Sequence, residues 1–171
     1  MRALADRARL ALSRRGWGDQ STGGGRPRTR GGRSERQGRL RRTRVEVSYQ
    51  PERDGHPDAG EVVWSWIPFK EDPREGKDRP VVVIGMAGDR FVVVPLTSKQ
   101  HPERDDHIAI GSGAWDPERR VSYAKLDRIL ALRENQIRRE GSSLERRRFD
   151  ALVEALARLD GWPTIPLEYV E

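Results

Sequence analysis

The chain has 171 residues, of which 35% are apolar and 35% charged, against roughly 45–50% and about 25% in an ordinary globular domain. That length supports one domain with a sizeable core but not two, and the apolar shortfall predicts that part of the chain lies outside it. There is no cysteine, which excludes disulfides, thiolate metal sites and cysteine nucleophiles.

The formal charge of +6 is unevenly placed. Residues 1–50 hold 14 Arg and 4 acids, a net of +10, which leaves 19 bases and 23 acids for residues 51–171, a net of −4. Nucleic-acid affinity in this mildly acidic body must come from a local groove. No apolar run approaches the roughly 18 residues of a membrane span, and the opening MRALADRARLALSRR lacks the continuous apolar stretch of a secretory signal. A soluble, cytoplasmic protein is expected.

Residues 1–57 read as a disordered Arg/Gly-rich tail and linker. Between residues 16 and 44, Gly23-Gly24-Gly25, Arg26-Pro27-Arg28 and Gly31-Gly32 leave Trp17 and Leu40 as the only large apolar side chains, too little to offset the ordering entropy. A short helix over residues 3–12 fits the spacing of Leu4, Ala8 and the Leu10/Leu12 pair. Three readings of the segment stay open: an arm that neutralises RNA or DNA phosphates, a solvated tail without a role, or an extension from a misassigned start codon.

The texture changes at Pro57-Asp58-Ala59-Gly60, and residues 58–162 read as the domain, with residues 163–171 as a C-terminal tail. Glu61 to Ile67 is rich in β-branched and aromatic residues and predicts a strand. A charged loop follows up to Arg79. Val81-Val82-Val83-Ile84 predicts a strand buried on both faces, and the glycine-containing link at residues 85–90 predicts that Phe91-Val92-Val93-Val94 pairs back as a hairpin. A polar loop over residues 100–106 precedes a short strand, His107-Ile108-Ala109-Ile110. After a second loop around Trp115, residues 121–126 and 128–132 predict two strand pieces. Ser142-Ser143-Leu144-Glu145 has the form of a capping box. Leu144, Phe149, Leu152, Val153, Leu156 and Leu159 form one helical stripe, stopped by Gly161 and Pro163. The whole predicts a mainly β (α+β) domain: a small curved sheet or open barrel with a C-terminal amphipathic helix.

Few motifs carry chemistry. His101 and His107, with Glu103, Asp105 and Asp106 between them, lack metal-ligand spacing and fit a solvated loop better than a metal site. No phosphate-binding glycine motif occurs, and Gly111-Ser112-Gly113 lacks the strand–turn–helix context of a nucleophile elbow. What remains is Arg79, where one apolar strand begins, and Thr97, where its neighbour ends. In a hairpin the two share one edge of the sheet. A guanidinium fork beside a hydroxyl suits a phosphodiester, and Lys77 and Lys99 add positive potential. The same residues also fit ordinary turn chemistry and a solvated arginine.

Three stretches taken together resemble the MazF/PemK family of toxins from bacterial toxin–antitoxin systems. They are Gly60-Glu61-Val62-Val63-Trp64, then Gly76-Lys77-Asp78-Arg79-Pro80-Val81-Val82-Val83-Ile84, then Val92-Val93-Val94-Pro95-Leu96-Thr97. The resemblance covers about residues 60–160. It implies an SH3-like, CcdB-like small barrel that dimerises and cuts single-stranded RNA without a metal or other cofactor, using the RNA's own 2′-hydroxyl. It also implies an antitoxin partner and, for the toxin–antitoxin complex, operator DNA. By the same match Arg79 and Thr97 are the catalytic residues, with Lys77, Asp78, Ser98 and Lys99 beside them as RNA-binding candidates. The loop before Arg79 departs from the family's G-S-E-Q-x-G pattern, residues 101–120 look like an elaboration, and only Asp78, Glu75 and His101 offer themselves as a base. A catalytically silent barrel binding DNA or protein is the alternative, and nucleic-acid affinity confined to the arginine tail a third. Trp64 and Trp66 share a strand face as core, dimer surface or stacking platform.

Overall fold

The computed structural model describes residues 41–52 and 56–171, so the tail and short helix expected within residues 1–40 lie outside the described residues. In chain order the elements are β1 (Arg41–Arg44), β2 (Glu46–Val47), β3 (Glu61–Pro68), β4 (Gly76–Ala87), β5 (Arg90–Thr97), β6 (His107–Gly111), β7 (Ser122–Lys125), β8 (Leu130–Leu132), β9 (Ile137–Ser143), α1 (Arg146–Leu156) and β10 (Thr164–Tyr169). The strands join in the order β1-β10-β8-β5-β4-β3-β9. Off that row, β2 pairs with β4, and β7 pairs with both β5 and β6. The fold is mainly β with a single helix, as the sequence predicts, and the sheet is open rather than closed.

The centre is the meander β3-β4-β5, and its hairpin turns at Gly88-Asp89 as expected. Both faces of these strands are covered, which is why they read as unbroken valine runs. Val82, Ile84, Val92 and Val94 pack in the cluster that holds Phe149, Leu152 and Leu156 of α1. Their alternate neighbours Val81, Val83 and Val93 join Val63, Ile67, Leu130 and Leu132 on the other face.

A bulge between Val83 and Gly85 lets β2 lie against β4, with Val47 opposite Gly85. A Cβ at Gly85 would stand 2.0 Å from the Glu46 carbonyl oxygen. Gly85→Ala is therefore expected to destabilise the fold by about 1–3 kcal/mol through overpacking, read as a lower urea midpoint; an unchanged midpoint would mean β2 does not seat there.

The structure departs from the sequence reading in three places. Residues 41–47 and 164–169, expected within a linker and a tail, form β1, β2 and β10. There β1 runs antiparallel to β10, which lies parallel to β8. The reason is alternation too short to stand out: Val45, Ile165 and Leu167 are the buried positions of otherwise polar runs. The helix is also shorter, with 11 residues, and the expected capping box does not form. Ser142 and Ser143 belong to β9, paired with Val62 and Glu61, and Glu145 is an N-cap without a side-chain hydrogen bond. Finally, β9 reads as IRREGSS, with Ile137 its one apolar side chain; its pairing to β3 gives it a strand conformation.

Candidate functional site

The hairpin pairs Val83 with Val93, Val82 with Val94 and Val81 with Pro95, and there the ladder stops. Pro80 and Pro95 lack the N–H needed to continue it. Beyond that point β4 stays on β3, with Arg79 opposite Ser65. Meanwhile β5 continues onto β7, with Thr97 opposite Tyr123. The two strands part, and Arg79 and Thr97 each lie two residues beyond their last pair. A cleft of about 380 Å³ opens in the gap. The sequence puts Arg79 at the end of a loop, but it sits inside β4, so a strand fixes its backbone rather than a loop.

All six candidates line this cleft: Lys77, Asp78 and Arg79 from β4, Thr97 from the end of β5, and Ser98 and Lys99 from the connection after it. They are not equivalent. The Thr97 hydroxyl oxygen accepts the Lys99 backbone N–H at 3.1 Å, which holds the side chain and leaves its O–H to donate outward. Asp78 is instead ion-paired to Arg138 at 3.0 Å, beside a second, smaller cleft lined by Trp66 and Gln136. Trp64 is half-buried and lines the first cleft, whereas Trp66 is exposed.

Lys77, Arg79 and Lys99 are cations without a carboxylate partner among the described residues. Burial, and then the charge of Arg128, hold the Arg79 guanidinium below the ordinary arginine range. The nearby Arg79 charge, then burial and Lys99, lower Lys77 likewise. Such mutual repulsion on a mildly acidic body is relieved by an anion with several oxygens.

The far wall comes from β6, β7 and residues 115–120, which sequence reasoning treated as an elaboration. Trp115 is fixed by its indole N–H donating to the Ser122 hydroxyl at 3.0 Å. Arg120 binds Asp116 through two nitrogens and holds that carboxyl below its usual range. Arg104 and His107 both bond Asp106, and Arg104 above all holds it far below the carboxylate range. His107 reaches the cleft through the β6–β7 pairing, and Arg104 through side-chain bonds to Asp106 and Asp127, neither of which the sequence shows. Among the described residues no group of three His, Asp or Glu side chains could hold a metal ion, and no helix is long and apolar enough to cross a membrane.

These pairs fix an acid response. A carboxylate whose folded pKa is depressed contributes stability that is complete above the unfolded value near 3.9 and is lost as pH falls through the folded value. Asp116→Asn is therefore expected to lower the urea midpoint at pH 7, and the gap from wild type should close as pH falls below about 4. A gap constant with pH would contradict the pairing.

The structure is therefore that of a mainly β domain whose central hairpin parts at a cleft lined by an arginine, a threonine and lysines without carboxylate partners among the described residues. Residues 58–159 match the model of the PemK-like, MazF-like toxin of type II toxin–antitoxin systems, and the chain belongs to that family. No curated protein matches the chain.

Proposed function

We propose that this protein is the toxin of a type II toxin–antitoxin pair and acts as an endoribonuclease on single-stranded RNA, without a metal. The observation that carries the reading is that Arg79 on β4 and Thr97 at the end of β5 line one cleft together with Lys77 and Lys99. In this reaction the O2′–phosphorus bond forms and the phosphorus–O5′ bond breaks, leaving a 2′,3′-cyclic phosphate and a 5′-hydroxyl. Arg79 meets two phosphate oxygens and stabilises the charge that develops on them. By the family match Arg79 also gives a proton to the departing O5′ and regains it from water. Thr97 donates its hydroxyl to the phosphate and holds it in line, while Lys77, Ser98 and Lys99 carry the flanking phosphates. Asp78, held by Arg138, is the weakest of the RNA-binding candidates.

The rest of the reading leans on family membership: an SH3-like fold whose sheet here also takes in β1, β2 and β10, acting as a homodimer in the cytoplasm, silenced by a cognate antitoxin and able to join it on operator DNA. The test compares one oligonucleotide sequence made as RNA and as DNA. The RNA should be cut at a recurring short motif in the presence of EDTA and the DNA left whole. Both left intact by folded protein would favour the catalytically silent binding module.

A further inference from the structure

The reaction above needs a group that accepts the 2′-hydroxyl proton, and neither Arg79 nor Thr97 can do so. The cleft answers by elimination. On β4, Asp78 is paired with Arg138, and Lys77 and Arg79 are cations. Across the cleft Asp116 is paired with Arg120, which also reaches Glu118 at 3.3 Å. On β7, Lys125 is a cation directed at Asp127. His107 bonds Asp106 through Nδ1 at 2.8 Å, and its side chain is only 3% exposed.

His101 is different. Its side chain is 40% exposed, it lines the same cleft, and its nearest charged partner, Glu103, stands at 3.7 Å, beyond hydrogen-bond length. It lies four residues past Thr97, on the connection leaving β5. That connection is held in place: the Arg104 N–H donates to the His101 carbonyl at 3.0 Å, and the Arg104 side chain is tied to Asp106 and Asp127. The His107 ring, itself anchored by Asp106, packs against His101 with centroids 5.2 Å apart.

We infer that His101 is the general base of this site, taking the proton of the 2′-hydroxyl as O2′ attacks phosphorus. This rests on the ribonuclease reading. O2′ loses its proton to an imidazole nitrogen, O5′ gains one from Arg79, and both side chains return to their starting states by exchange with water. An imidazole suits the task because it changes protonation state near neutral pH.

The test is steady-state kinetics of the full chain on an RNA oligonucleotide, with His101→Ala and His101→Gln beside wild type and circular dichroism to verify folding. A positioned base contributes about 10²–10⁴-fold, so kcat should fall by that much in both variants. Binding of the uncleavable 2′-O-methyl oligonucleotide should persist, added imidazole should restore part of the His101→Ala rate, and the acid limb of the pH–rate profile should vanish. Cleavage by both variants at the wild-type rate with that limb intact would overturn the assignment and leave the ribonuclease reading standing. RNA left whole by wild type as well would overturn both.

Discussion

Arg79→Ala is expected to lower RNA cleavage by about 10³-fold, the order found when a single charge-stabilising donor is removed from a transition state, while the protein remains folded. Both halves of that expectation come from the same geometry. Arg79 is half-buried, lines the cleft with Thr97, and is unpaired by any carboxylate among the described residues. Its removal therefore breaks no ion pair. It relieves repulsion with Lys77 and Arg128, so the urea midpoint should hold or rise slightly. Arg79→Lys keeps a charge but loses the fork that meets two oxygens at once, and should recover only a small part of the rate. Thr97→Val should cost about 10²-fold, because it removes the hydroxyl that the Lys99 amide orients. Loss of cleavage together with loss of folding would contradict this account of Arg79.

The largest stability effect is expected at Leu167. It is fully buried in β10 and packs in the cluster shared with α1. Leu167→Ala should cost about 2–5 kcal/mol, the usual range for emptying a buried leucine site, and the urea midpoint measures it. Because β10 lies between β1 and β8, the same change loosens the strand that joins both. A loss below 1 kcal/mol would mean that this segment is the surface tail its sequence suggests.

That contrast shows where the fold was legible. The strands with continuous apolar runs, β4 and β5, could be read directly, because burial on both faces leaves no polar interruption. The helix stripe through Phe149, Leu152 and Leu156 was equally plain. β10 hid two buried side chains, Ile165 and Leu167, among exposed or half-buried neighbours and beside Pro163 and Pro166. β9 hid completely, since its strand conformation comes from pairing with β3 rather than from its own residues.

The site divides the same way. Arg79 and Thr97 could be named because a hairpin places the start of one strand beside the end of the next, a local consequence of antiparallel pairing. The ion pair of Asp78 could not be read because its partner, Arg138, lies on β9, which has almost no strand signal of its own. His107 depends on β6 pairing with β7, a contact between strands separated by a ten-residue connection, and Arg104 on its bonds to Asp106 and Asp127. Their bond to Asp106 has no signature in a loop that reads as solvated charge.

The most direct test of the central claim is to map the fragment ends after wild-type protein and Arg79→Ala have each met a long single-stranded RNA in EDTA. The account predicts recurrent cuts leaving 5′-hydroxyl and 2′,3′-cyclic phosphate ends with wild type, and intact RNA with the variant. Cuts bearing 5′-phosphates, or equal cleavage by both proteins, would contradict it.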